Sequence, residues 1–372
     1  MKTIEKEQDK RRNAVIELTR MLCMLLIITG HILGQGGVLA GLPQNSFVYR
    51  LMEVLRILCL PATNIFVLIS AYFMSSSRFK VKRFFTLWLQ VFFYNLLAVA
   101  VSVAVGNTGF SLKMILNLVF PISTNQYWYM RVFMGMMLLS PFLNFMIDGM
   151  NKKQHGACVA VSVVLFSLWR NLLPFSTTLN PEGGNSILWF ITLYLIASYI
   201  RRYVNPSGKS NRYLCFGLLF CFLTVGMHYV TVLASGALGL DGKGTSLFTE
   251  FTSVTITGIS VAVFLLILSI PDKFHNRTAR AINWMAASSL SVYLIHEHPQ
   301  IVAIIKGSGF AGFMTRTPVA AFPLVLAVTA AVFAASLILD KMTFSNIKKL
   351  LNKVKFSHLQ QKMDSILYTS EV

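Results

Sequence analysis

Apolar positions run through the chain in long, nearly unbroken segments separated by short polar ones. The apolar runs centre near residues 15–34, 53–74, 84–105, 127–148, 156–173, 186–203, 213–235, 251–270, 283–305 and 318–340. At 1.5 Å of rise per residue, each is long enough, or nearly so, to cross a hydrocarbon core of about 30 Å as a helix. The pattern predicts an all-α, polytopic integral membrane protein with about ten transmembrane helices in one bundle. The expected organisation is a cytoplasmic tail over residues 1–13, a membrane domain over 14–342 and a second cytoplasmic tail over 343–372. Between the third and fourth runs, residues 106–126 contain SLKMILNLVFP, which reads as an interfacial or re-entrant helix.

Composition agrees with this reading. Hydrophobic residues are 55% and charged residues 13%, half the roughly 25% of a soluble domain, so an ordinary soluble enzyme is excluded. A net charge of +19 would suggest nucleic acid in a soluble chain. Position says otherwise. The tails and every second loop hold 24 of the 33 Lys and Arg, whereas the opposite loops hold five. The positive-inside rule puts both termini in the cytoplasm, which makes the basicity a topology signal with no nucleic-acid partner. All five cysteines lie in the runs without metal-ligand spacing and read as packing residues. No metal is expected.

Ionisable side chains inside a membrane cost about 2.5–3.5 kcal/mol on insertion scales and are candidates for function. In the first run, Glu17 and Arg20 share a helical face at i,i+3. His31 lies three turns on, about 16 Å along the axis, at nearly the azimuth of Arg20. A polar stripe is therefore expected, with Arg20 suited to an anionic group and His31 to the opposite end of the same ligand. In the second run, Pro61 predicts a kink, and Asn64 and Ser70 can bond across helices. Arg83 stands at the basic mouth of the third run and suits phosphate. The Trp128 region reads first as an interfacial aromatic belt, with Arg131 just inside it. Arg56 is expected to pair with Glu53 and, like Arg131 and Arg170, to be structural. His296 lies at a depth similar to that of His31, followed by Glu297, His298 and the helix-distorting Pro299. His228 reads as a packed, hydrogen-bonded residue.

Four segments carry a resemblance. IELTRMLCMLLIITGH, NIFVLISAYFMSSSRFKVKRF, YWYMRVFMGMMLLSPFLN and SLSVYLIHEHP resemble, in order, blocks of the acyltransferase-3 family of integral membrane acyltransferases. Glu17 stands where Asp is commoner, and Ala71 where Gly is usual. The resemblance implies transfer of an acyl group, usually acetyl from cytoplasmic acetyl-CoA, to a hydroxyl of a cell-surface polysaccharide or lipid-linked glycan. It implies His31 as general base or acyl carrier, and Arg20, oriented by Glu17, as anchor of the donor phosphates. Arg83, Ser70 and Tyr72 become further donor contacts, and Trp128, Arg131, Tyr293 and His296 weaker lining candidates. The alternative is a secondary transporter or glycan-lipid flippase without acyl chemistry. Such proteins often show two related halves, and no half-to-half similarity is visible here. Glu17 is the one acidic residue clearly within a run.

Overall fold

The structure is a computed structural model that describes residues 12–106, 111–124, 126–172, 181–240, 242, 244–354 and 356–368. Most of the expected N-terminal tail (residues 1–11) lies outside the described residues, as do Lys243 and part of the 106–126 segment. In chain order the helices are α1 (Ala14–Leu33), α2 (Phe47–Cys59), α3 (Pro61–Met74), α4 (Val81–Ala104), α5 (Leu112–Val119), α6 (Trp128–Asp148), α7 (Lys152–Val163), α8 (Trp169–Leu172), α9 (Ile187–Tyr203), α10 (Ser210–Ala237), α11 (Val254–Ser269), α12 (Asn276–Ala286), α13 (Ser289–His296), α14 (Pro299–Gly307), α15 (Phe310–Thr315), α16 (Ala321–Met342), α17 (Phe344–Leu351) and α18 (Ser357–Tyr368). Among the described residues there is no strand.

The fold class read from the sequence holds. Each apolar run falls on helix, whole or in pieces, and seven helical stretches are long and apolar enough to cross a membrane. The remaining three runs are shorter or broken: α9 has 17 residues, α11 has 16, and the run at 283–305 is divided among α12, α13 and α14. The division has a local cause. Pro299 lacks an N–H and disfavours helical geometry in the residue before it, so His298 is extended (φ −60°, ψ 129°) and caps α14 while Glu297 ends α13.

α1 is the axis of the bundle and packs against α2, α3, α12, α13 and α16. A Cβ at Gly30 would lie 3.4 Å from Cys59 Cβ, so the glycine sets how near α2 comes. The outer helices point leucine and phenylalanine outward, such as Phe222 and Leu233 of α10, as a lipid-facing surface requires. α5 is the short helix expected between the third and fourth runs. It exposes Leu112, Ile115, Leu116 and Val119, and Asn95 donates to the Asn117 and Leu118 carbonyls to hold it on α4.

Polar crosslinks fix the helices around the axis. The Asp340 carboxylate, buried in α16, accepts from Ser288, Ser291 and Tyr94, joining α13, α16 and α4. It is therefore an acidic group inside the bundle that the sequence reading did not count. Buried Asn64 of α3 accepts from Trp189 Nε1 at 3.1 Å and donates to the Phe251 carbonyl at 2.8 Å. Ser70 instead donates to Phe66 O of its own helix. Gly184 (φ +108°) lets Phe251 approach, since a Cβ there would sit 2.6 Å from Phe251 Cβ.

Replacing Asn64 with Leu leaves the Trp189 N–H and the Phe251 carbonyl buried without partners, a loss of about 1–3 kcal/mol each. The variant is expected to unfold at lower temperature than wild type in nanodiscs. An unchanged transition would show that this crosslink contributes no stability.

Candidate active site

The break at Glu297–Pro299 turns three polar groups onto one point. His31, in the last turn of α1, places Nδ1 2.7 Å from Glu297 Oε2 and 3.1 Å from His296 Nε2. His296 Nδ1 lies 2.6 Å from the Val292 carbonyl. A carbonyl only accepts, so Nδ1 of His296 carries the proton, and neutral His296 offers a bare Nε2 to His31. His31 must then be protonated at Nδ1 to donate to His296 Nε2, with the Glu297 carboxylate beside that nitrogen. Its Nε2 is left as the lone-pair atom, with no hydrogen-bond partner among the described residues. Gln35 Nε2 donates to Glu297 Oε1 at 3.1 Å and fixes the carboxylate from its other side. Glu297 and His296 are buried, whereas the His31 side chain keeps 27% exposure.

That exposed face forms part of the wall of a cavity of about 310 Å³. From α1 the cavity takes Met24, Leu26, Ile27, Gly30 and His31, with Gly34 just past the helix end; Met24, Ile27 and His31 lie at i, i+3 and i+7 on the face that also carries Arg20. Opposite stand Phe66, Trp128, Tyr129, Phe251 and Tyr293, with Thr63, Arg56, Gln35 and Asn185 as polar wall. Trp128 stacks on Phe251 with centroids 5.9 Å apart. The Tyr129 hydroxyl is buried and has no hydrogen-bond partner among the described residues.

At the basic end, Arg20 donates to Glu17 Oε1 at 2.8 Å. Its Nε is buried with no hydrogen-bond partner among the described residues. Arg12 and Arg83 lie within electrostatic reach of one another and of Arg20, and Arg83 is exposed. Lys348, on α17, joins them. Desolvation beside the bundle and the positive charges of Arg12 and Arg83 pull its ammonium below the usual lysine range, against the opposing pull of Asp340.

The structure thus brings together His31, His296, Trp128 and Tyr293, and places Arg20, Glu17 and Arg83 one face-length away. Other candidates lie elsewhere. Ser70 does not line the cavity. Tyr72 packs on Phe264 and lies under Arg201, whose guanidinium is 4.6 Å from the ring centre. Arg131 is exposed, 3.9 Å from Glu182. Arg56 lines the cavity, and its expected partner Glu53 is taken by His228, 3.3 Å away. Arg170 pairs with Glu250 at 3.1 Å, a structural bridge as expected. The sequence reading assigned no role to Glu297, Tyr129, Gln35 or Lys348. The Pro after HEH was the one signal that could have set Glu297 apart. Tyr129 directly follows a residue already singled out.

A family model described as an acyltransferase domain matches residues 13–341. The chain therefore belongs to the acyltransferase-3 family, and is a multi-pass membrane protein with an acyltransferase domain. No curated protein and no solved structure gives a match.

The hydrogen-bond pattern fixes the tautomer of His31. With 15N-labelled histidine in nanodiscs at a pH where the ring is neutral, His31 is expected to resonate as the Nδ1-protonated form. In Glu297→Gln that preference should weaken. A ring protonated at Nε2 in wild type would overturn the arrangement.

Proposed function

We propose that the chain moves an acyl group, acetyl by preference, from cytoplasmic acyl-CoA to a hydroxyl of a cell-surface polysaccharide or lipid-linked glycan. It would do so in the cell membrane, with both termini cytoplasmic. The observation that carries the reading is His31, held at Nδ1 by Glu297 and His296 and bare at Nε2 on the cavity wall. That is the posture of a general base whose developing positive charge is met by a carboxylate.

In the proposed reaction Nε2 takes the proton of the acceptor hydroxyl as its oxygen attacks the thioester carbonyl. The C–O bond forms, the C–S bond breaks, and the imidazolium returns the proton to the departing thiolate. The products are an ester and free CoA thiol. Glu297 is a positioning residue, because it acts through the ring and not on the substrate. The low-dielectric bundle strengthens its interaction with the imidazolium relative to water.

Arg20, Arg83, Arg12 and Lys348 form a fitting anchor for the phosphates of the donor. The distance of about 16 Å between Arg20 and His31 lets an extended pantetheine-like arm lie along the Met24–Ile27 face. For the acceptor, the aromatic rings of Trp128, Tyr129 and Tyr293 beside the amides of Gln35 and Asn185 suit a saccharide, which offers both apolar ring faces and hydroxyls. Ser70 and Tyr72 have no part in this scheme.

The test is CoA thiol release by the full chain in nanodiscs with acetyl-CoA and a crude surface glycan. His31→Ala is expected to lose at least about 1,000-fold in turnover, in line with removal of a base and its charge partner. Glu297→Gln should lower kcat with KM nearly unchanged, whereas Arg20→Ala should chiefly raise the apparent KM for acetyl-CoA. Wild-type turnover in folded His31→Ala would remove the base.

A further inference from the structure

His31 Nδ1 hydrogen-bonds His296 Nε2, whose own ring proton is committed to Val292 O, and Glu297 Oε2, 2.7 Å from the same Nδ1, is buried with no hydrogen-bond partner among the described residues. One ligand atom from each of His31, His296 and Glu297 lies within 4.8 Å of the other two. A tetrahedral Zn2+ with ligands at about 2.0–2.1 Å needs them about 3.3 Å apart. The measured separations of 2.7 and 3.1 Å need to open by only about 0.2–0.6 Å to meet that geometry. The outer partners of a metal site are also present. His296 donates its other N–H to a backbone carbonyl, and Gln35 holds the second carboxylate oxygen, as metal-binding histidines and carboxylates ordinarily require. Two imidazoles and one carboxylate suit a borderline-soft divalent ion.

We propose that these three residues form a binding site for a divalent transition metal of the zinc type, and that the ion shuts off the base. A metal on His31 Nδ1 displaces the ring proton to Nε2, so the atom that faces the cavity no longer has a lone pair to give. Metal occupancy and base function exclude each other through a single tautomer. Cysteine thiolates do not enter the site, and none of the three ligands comes from the basic end.

The experiment titrates Co2+ into the full chain in nanodiscs after treatment with chelator, with no acyl donor present. One Co2+ per chain is expected, with the visible absorption of four-coordinate cobalt and displacement by Zn2+. Gln35→Ala should weaken binding about 10–100-fold, the usual cost of an outer partner, and His296→Ala and Glu297→Gln by more than that. Glu297→Gln preserves shape, so a folded protein carries the comparison. Folded wild type that takes up no stoichiometric cobalt would overturn the site. So would equal binding by both ligand variants, or a sulfur-to-cobalt charge-transfer band showing thiolate ligation. Inhibition of thiol release by Zn2+, with the midpoint of occupancy, rests on the acyl-transfer reading. Binding without acyl transfer would sink that reading and leave the site standing, and acyl transfer without binding would do the reverse.

Discussion

The rest of the structure depends on a carboxylate that has to be satisfied inside an apolar bundle. Glu297 cannot reach water, and an isolated buried charge costs far more than any single packing contact returns. Its Oε1 accepts from Gln35 and its Oε2 lies 2.7 Å from His31 Nδ1, so the α1 end and its immediate downstream loop face both oxygens. Those contacts exist only because the backbone stops being helical at His298. The break is itself held from both sides. Ser288 and Ser291 fasten α13 to Asp340, and His298, capping α14, donates from Nε2 to Asn95 Oδ1. A loosening of either attachment would move the carboxylate before it moved any helix.

α1 converts that local geometry into a device with two ends. Its Arg20–Met24–Ile27–His31 face carries a cationic group at one end and an imidazole with a bare nitrogen at the other. Between them on this face lie Met24 and Ile27, and Tyr129 lines the same cavity. Separation along a rigid helix is what permits a charged anchor to bind strongly without disturbing the reacting end.

What the sequence made legible follows from what spacing along one helix can report. The apolar runs predicted the helices, and the 11-residue interval from Arg20 to His31 placed the two on one face. Interactions between helices were not legible. Glu53 and Arg56 stand at i,i+3 and look like a pair, yet Glu53 faces His228 on α10 and leaves Arg56 to the cavity. Ser70 looks free to bond across helices and satisfies itself on Phe66 O, as hydroxyls in apolar helices often do. Glu297 sat in a run whose hydropathy reads as continuous, so its role appeared only when the chain was bent at Pro299. Asp340 was hidden for the same reason, because its donors come from α4 and α13.

The polar groups inside the bundle then sort by valence. Asp340, Arg170 with Glu250, and Asn64 with Trp189 are filled by protein partners, and they hold helices in place. Arg20 Nε, the Tyr129 hydroxyl and His31 Nε2 each lack a hydrogen-bond partner among the described residues. They occur in that order from the basic end to the cavity. A membrane protein bears the cost of placing a polar atom in an apolar interior only if something offsets it. For the first group the offset is visible in the structure. For the second it must come from a molecule with an anionic end, an apolar middle and a proton to surrender, and that is the chemical outline of a thioester donor meeting a hydroxyl acceptor.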